Sequence, residues 1–335
     1  MPVIAYDYPS YHLAVRVDPN FFLAVNYPWL AYGRDFGRSP WGHSGISLEK
    51  SRATVAADFA AIRSSGVSVV RWFLLCDGRS GIRSENGAPT GPDDLLFADV
   101  AAALDLASQS NLLLCFSLFD FLWLQTAAAK PQIENFAARN ALQFAGGREA
   151  LLERILLPLF REFRGHPALF AWEIVNEPEW AIPEFQRARD ATLSFADAHS
   201  FFAEIAQAIH GESGGVPATL GSARLKWVRA WSAIGLDLLE AHYYPHTEGN
   251  EPLAAQLARL RHPGPLWLGE LPARAPSVRD YSLEAALTAC RRAGLAGAGV
   301  WRWRSPEVDG SDMAFGSVQP ETLSAWLSQS RETRV

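Results

Sequence analysis

The chain predicts an α/β fold, a single (β/α)8 barrel spanning residues 1–335. Three observations carry this. Eight short apolar runs of strand character recur along the sequence, most of them separated by a segment of helical pattern. No Pro/Gly/Ser-rich linker divides the chain into two parts. Two of the apolar runs finish in a lone carboxylate followed closely by proline, at strand ends where barrels carry their chemistry. An open doubly wound sheet is the competing architecture. It should carry a Gly-rich phosphate loop after an early strand, and neither GxGxxG nor GxxxxGKS/T occurs.

Taken in order, residues 21–26 form the first strand, with a hairpin partner expected at 13–17 across the turn Asp18-Pro19-Asn20. Residues 47–65 have helical character, with Ser47 as N-cap, Lys50 where a capping box would place Glu, and Gly66 as the stop. Residues 67–75 are continuous and rich in β-branched side chains, the pattern of a strand buried on both faces. A helix over 93–110 leads to the third strand at 112–119, and a helix over 148–163, interrupted late by Pro158, leads to the fourth at 169–175. A helix over 194–210 follows, then shorter strands at 218–221, 236–243 and 266–269. Residues 282–293 are helical before the last strand at 298–303, and 322–328 close the chain as a helix.

Composition narrows the partners. Nearly half the residues are hydrophobic and a fifth charged, so a large core and a water-facing surface are both affordable. The net charge of −6 is mild and the basic residues are scattered, which argues against nucleic acid or an anionic membrane as the main partner. No stretch is long and apolar enough to span a bilayer, and no basic segment followed by an apolar one opens the chain. As it stands the chain reads as cytoplasmic, and as secreted if a leader has been removed. Cys76, Cys115 and Cys290 form no CxxC pair and sit in apolar or helical surroundings, so buried free thiols are expected. The histidines show no zinc spacing, and no metal is expected.

The sharpest signal is Ala171-Trp172-Glu173-Ile174-Val175-Asn176-Glu177-Pro178, an apolar run that delivers a carboxylate at its end. Pro265-Leu-Trp-Leu-Gly-Glu270-Leu-Pro272 repeats the arrangement. Carboxylates are costly at the edge of an apolar core, and two at matching strand ends suggest an acid/base and a nucleophile. Glycoside hydrolysis is the chemistry that most typically uses such a pair. Glu173 competes on the same strand. By alternation it shares a face with Glu177, but it lies deeper, where it suits an ion pair with Arg71. The loops after the first and third strands are aromatic, with Trp29, Tyr32 and Trp41 in one and Asp120, Phe121 and Trp123 in the other. Trp29, Trp41 and Trp123 divide between sugar platforms and loop packing; Asp35, Asp312 and Glu179 read as solvated loop charges rather than sugar ligands.

These motifs resemble the clan of retaining (β/α)8 glycoside hydrolases that includes the family 5 cellulases and mannanases. The resemblance runs from Asn26 to Trp303 and rests on short strand-end motifs. It implies Glu177 as acid/base, preceded by Asn176 for the sugar 2-hydroxyl, and Glu270 as nucleophile. Arg71 on the second strand and His242-Tyr243-Tyr244 on the sixth match further positions, so Arg71 and Tyr244 are expected beside Glu270. An aromatic of the eighth strand, Trp301 or Trp303, is expected against the sugar. The implied substrate is a β-linked gluco- or manno-configured saccharide, and no cofactor is needed. Many family 5 enzymes carry a His near the end of the third strand. Phe116-Ser117-Leu118-Phe119-Asp120 has none, and Asp120 or Ser117 takes its place. Three other readings remain: a transglycosylase using the same covalent intermediate, a non-catalytic carbohydrate-binding barrel, and a metal-dependent hydrolase. The last normally needs His and Asp ligands at several strand ends, and His242 is the one strong candidate here.

Overall fold

The structure, a computed structural model, describes residues 21–85, 88–125, 141–186, 193–262, 264–303 and 315–332. The expected hairpin partner at 13–17, its turn, and Asp312 lie outside them. Eight strands close into a barrel: β1 (Phe22–Asn26), β2 (Val69–Phe73), β3 (Leu113–Asp120), β4 (Leu169–Asn176), β5 (Ala218–Ser222), β6 (Leu239–His242), β7 (Leu266–Pro272) and β8 (Gly297–Trp301). Each pairs in parallel with its sequence neighbours, and β8 pairs with β1. Every strand residue is buried, as continuous apolar runs covered on both faces require.

The surrounding helices are α1 (Glu49–Ser64), α2 (Leu96–Gln109), α3 (Ala145–Leu151, continued as Leu157–Glu162), α4 (Phe195–Glu212), α5 (Leu253–Arg259), α6 (Leu283–Arg292) and α7 (Pro320–Glu332). The two parts of α3 are joined by a wide π segment, Leu152–Leu156, directly before Pro158. Proline has no N–H for the helical ladder, and the ladder widens there instead of breaking. Helix α1 starts after Leu48, without a side-chain cap, so Ser47 is not its N-cap. The Ser47 N–H instead donates to Asp99 Oδ1 at 2.7 Å. Gly66 follows the helix with φ +89°, the left-handed stop that glycine permits. Between β5 and β6 the connection makes a 3-10 segment, Leu225–Trp231, in place of a full helix. Two short hairpins, Arg38–Ser39 with Gly42–His43 and Ile82–Glu85 with Ala88–Pro92, and the helix α5 escaped the sequence reading. The second hairpin carries Pro89 and Pro92, which read as loop but are tolerated on an edge strand.

Two apolar regions build the core. A large outer layer lies between strands and helices. The barrel's lower interior is filled by Phe22, Phe170 and Trp267, whose rings pack 5.0–6.3 Å apart, with Val69, Leu113 and Cys115 around them. Such aromatic filling needs a bare backbone opposite: a Cβ on Gly297 would meet the Phe22 ring at 2.5 Å. All three cysteines are buried and free. Among the described residues no helix is long and apolar enough to cross a membrane.

Candidate active site

Above the aromatic floor, the interior turns from apolar to charged. Arg71 on β2 is fully buried and is the hub. Its Nε and Nη2 donate to the two oxygens of Glu173 at 2.6 and 2.7 Å, the two-pronged pairing that the planar guanidinium favours. Nη1 donates to Asn26 Oδ1 (2.8 Å) and Glu270 Oε1 (2.6 Å), and Nη2 also to Asn176 Oδ1 (2.7 Å). Burial works against the guanidinium's charge, but Glu173 and Glu270 outweigh it and raise its pKa. Burial pushes Glu173 up to about 7, with Arg71 opposing and Glu240 reinforcing the shift. The ion pair expected between Glu173 and Arg71 is therefore present.

Glu177 and Glu270 reach the top of this layer through irregular strand ends. The register of β4 against β5 shifts between Glu173 and Asn176, and that of β7 against β6 between Leu268 and Glu270. An extra residue in a strand reverses which side chains face inward, a device common beside active sites. Hence Glu173 and Asn176, not Glu173 and Glu177, point together at Arg71. Glu177 arrives by a left-handed turn, φ 49° and ψ 46°, a conformation costing a non-glycine residue of order 1–3 kcal/mol. Its N–H is pinned to Gly221 O at 2.7 Å. Its side chain is held from both sides: His242 Nδ1 lies 2.8 Å from Oε1, and Trp180 Nε1 donates to Oε2 at 2.8 Å. Replacing Trp180 with Phe removes that donor and keeps an aromatic ring. We expect turnover to fall about tenfold, the scale of one hydrogen bond to a charged group, with the melting temperature nearly unchanged. Steady-state kinetics beside a thermal melt checks this.

Glu270 accepts from Arg71 on Oε1 and from the Tyr244 hydroxyl on Oε2 at 2.7 Å. One ligand atom each of Glu177, His242 and Glu270 lies within 4.8 Å of the others. That spacing would suit a cation, but the three side chains already engage one another: His242 Nδ1 lies 2.8 Å from Glu177 Oε1 and 3.6 Å from Glu270 Oε1. Burial acts to discharge His242, yet Glu270, Glu177 and Glu240 outweigh it and push its pKa up to about 10.

The remaining expected site residues divide. Asn176 spends one amide hydrogen on Asp120 Oδ2 (2.9 Å), which leaves the other for a sugar hydroxyl. Asp120 also accepts from Leu122 N at 3.0 Å, and burial pushes it up to about 7. It therefore orients Asn176, whereas Ser117 lies deeper, its hydroxyl 3.4 Å from Phe119 O. Trp301 clusters with Trp29, Phe73 and Tyr244 at the site. Trp29 packs edge-on against it, centroids 6.1 Å apart. Trp303 belongs to the outer core instead, because β8 ends at Trp301 and alternation no longer applies. Trp123 is a correction too: it is wholly buried against Phe119 and presents no face to a sugar. Trp41 stays exposed at the tip of its hairpin. Asp35 and Glu179 are buried, not solvated. Asp35 accepts from Leu30 N, Ala31 N and Trp72 Nε1, and Glu179 from Ser222, Ala223 N and Trp231 Nε1. Sequence reasoning missed Asn26, Trp180 and Glu240. Glu240 had a signal: it stands two residues before His242 on one strand face.

The shifted groups set a pH dependence of stability. His242, raised from 6.5 to about 10, contributes stability that is complete below about pH 6.5 and is lost as pH climbs toward 10. Asp120 and Glu173, carboxyls raised to about 7, favour the fold when protonated, so their contribution fades from about pH 4 through 7. The signs agree, and the melting temperature should fall steadily from about pH 5 to pH 9 at fixed ionic strength. A flat or rising profile by calorimetry would refute it.

Comparison with known proteins fits this geometry. Over 163 residues, 48% of this chain, the sequence is 28% identical to a mannan endo-1,4-β-mannosidase of Mytilus edulis, and the match spans 41% of that protein. A mannan endo-1,4-β-mannosidase of Cryptopygus antarcticus is 26% identical over 165 residues, again under half the length of each protein. No family model matches the chain. In fold, the β-1,4-D-mannanase of Cryptopygus antarcticus superposes with a TM-score of 0.72 at 18% identity, covering 91% of this chain and 89% of that one. The β-mannanase of Mytilus edulis gives 0.71 at 22% identity, covering 91% and 92%. The chain is thus a (β/α)8 barrel similar in sequence and in fold to endo-1,4-β-mannosidases, as its resemblance to the retaining family 5 clan implies.

Proposed function

We propose that the protein is a retaining glycoside hydrolase acting on β-manno-configured oligo- and polysaccharides by double displacement. One observation carries the reading: an oxygen of Glu177 and one of Glu270 lie within 4.8 Å of each other. Retaining pairs stand about 5–5.5 Å apart, and inverting pairs, which must admit a water, about 6.5–9.5 Å. In the first step a Glu270 oxygen attacks the anomeric carbon while Glu177 gives its proton to the glycosidic oxygen. The bond to the leaving sugar breaks and a glycosyl ester forms on Glu270. Glu177, now a carboxylate, already faces donors on His242 and Trp180, so no reorganisation is needed to stabilise it. In the second step Glu177 takes a proton from water, the water oxygen attacks the same carbon, and Glu270 is released. One glycosidic bond and one water are consumed. Arg71 and Tyr244 orient the nucleophile, Asn176 has an amide hydrogen for the 2-hydroxyl, and Trp301 supplies the apolar floor. The manno preference is supported by the relatives' activity.

The test is intact mass and peptide mapping after incubation with activated 2-deoxy-2-fluoro-β-mannosides and -glucosides, beside reducing-end release from β-1,4-mannan. A single mannosyl adduct on Glu270 is the expected result. An adduct on another residue overturns the assignment. No adduct and no release from mannan overturns the function.

A further inference from the structure

The double-displacement reading leaves Glu240 without a task, yet the fold is shaped around it. Glu240 is wholly buried on β6, two residues before His242. Its Oε2 accepts from the Thr219 hydroxyl at 3.1 Å. Its Oε1 makes no hydrogen bond, and neither does His242 Nε2; these two buried atoms face each other 3.7 Å apart. Arg71 Nε stands 3.3 Å from Oε1, but its N–H is given to Glu173 at 2.6 Å. The backbone makes room for the arrangement. A Cβ on Gly269 would collide with Glu240 Oε1, and one on Gly221 would stand 2.6 Å from Glu173 Oε1 and 3.0 Å from His242 Nε2. A carboxylate oxygen buried without a hydrogen bond is costly unless a charge answers it. Arg71 answers it in part, at 3.3 Å and with its N–H turned to Glu173; the second group placed to answer it is the His242 ring, whose Nε2 has no other hydrogen-bond partner.

We propose that Glu240 is a positioning residue that holds His242 as a doubly protonated imidazolium, keeping its Nδ1–H aimed at Glu177 through both proton transfers. This rests on the roles given above to Glu177 and Glu270. The titratable groups facing the pair are Arg71 on β2, Cys115 on β3, Glu173 on β4, Glu177 in the turn after it, and Glu270 on β7. Carboxylates outnumber cations there, so the ring is held charged although it is fully buried. The chemical consequence is specific. When Glu177 gives up its proton, a neutral ring could present a lone pair to the new carboxylate and oppose it. A ring kept charged from behind presents an N–H whichever state Glu177 is in. Glu240 never touches the sugar; it acts through His242.

The experiment is side-chain ¹H–¹⁵N spectroscopy of histidine-labelled protein between about pH 5.5 and 8.5, where an ordinary His titrates, with His242 assigned by comparison with His242→Gln. The wild-type ring should keep imidazolium shifts throughout. In Glu240→Gln it should titrate within the range, and kcat should fall about tenfold with KM within about twofold, because the loss lies in a transition-state interaction. Thr219→Val, which removes the hydroxyl that orients Glu240, should move His242 the same way by less. Should Glu240→Gln fail to fold, the wild-type titration and Thr219→Val still decide. A wild-type His242 that titrates normally, or imidazolium shifts unchanged in the folded variants, overturns the proposal. The spectra do not depend on turnover, so an inert protein with a charged His242 would sink the glycosidase reading, and with it the catalytic part of this role, while the hold of Glu240 on the charge of His242 would still stand.

Discussion

Replacing Glu270 with Ala is expected to abolish turnover of natural glycosides, with a loss of the order of 10⁶-fold, the scale on which removal of a covalent nucleophile acts. The size follows from the geometry. Glu270 is oriented by Arg71 at 2.6 Å and Tyr244 at 2.7 Å, and no other described carboxylate is placed to replace it. Glu173 is tied to Arg71 through both oxygens, and Glu240 lies behind His242. The deletion also leaves a cavity lined by two donors, a site made for a small anion. Azide should therefore restore part of the activity on a substrate with a good leaving group, giving a glycosyl azide of inverted configuration. Recovery of an inverted azide would assign Glu270 as the nucleophile, and retention in that product, or activity that survives the substitution, would remove it from the role. The same treatment of Glu177→Ala should give an azide of retained configuration, because the nucleophile is then intact and azide replaces the water of the second step.

How far the sequence could be read depends on the kind of information each feature needs. The strands were legible because burial on both faces of a barrel writes them as continuous apolar runs, and all eight were found. The strand-end glutamates were legible because a lone carboxylate closing such a run is costly without a task. Side-chain direction was less legible. Alternation placed Glu173 and Glu177 on one face, and the register shift in β4 undid that; likewise the end of β8 at Trp301 separated Trp301 from Trp303. A bulge leaves no mark in a hydrophobicity pattern. Loop residues were the weakest, since burial there depends on distant partners. Asp35 and Glu179 read as solvent charges, yet each is sealed inside with donors from across the fold. Trp123 has the look of a sugar platform and is packed away. Glu240, by contrast, was within reach: a Glu two positions before a site His on a buried strand had to face the same interior.

The largest effect on stability is expected from Arg71→Met, which keeps much of the volume and removes the charge. Glu173, Glu240 and Glu270 would lose the one cation that, among the described residues, contacts all three, and the Oδ1 atoms of Asn26 and Asn176 would lose the Arg71 donor. Breaking one side of a buried ion pair costs about 3–5 kcal/mol, because the partner is left charged and unanswered. For a chain of this size that corresponds to a fall of roughly 5–15 °C in melting temperature. The cost depends on the carboxylates being charged, which gives the prediction its sign with pH. Burial already pushes Glu173 up to about 7 against the opposing pull of Arg71, and removing Arg71 takes that pull away. The deficit should therefore be largest at neutral pH and above, and should shrink as pH falls toward about 4, where the groups take up protons in both states. Neutralising the partners should act in the same direction: Arg71→Met combined with Glu173→Gln should melt above Arg71→Met alone at pH 7. Arg71→Lys should fall between, since it restores a charge but not the planar fork that serves Glu173 and Glu270 together. A difference between Arg71→Met and wild type that stays constant with pH would mean that packing, not charge, is what Arg71 contributes to the barrel.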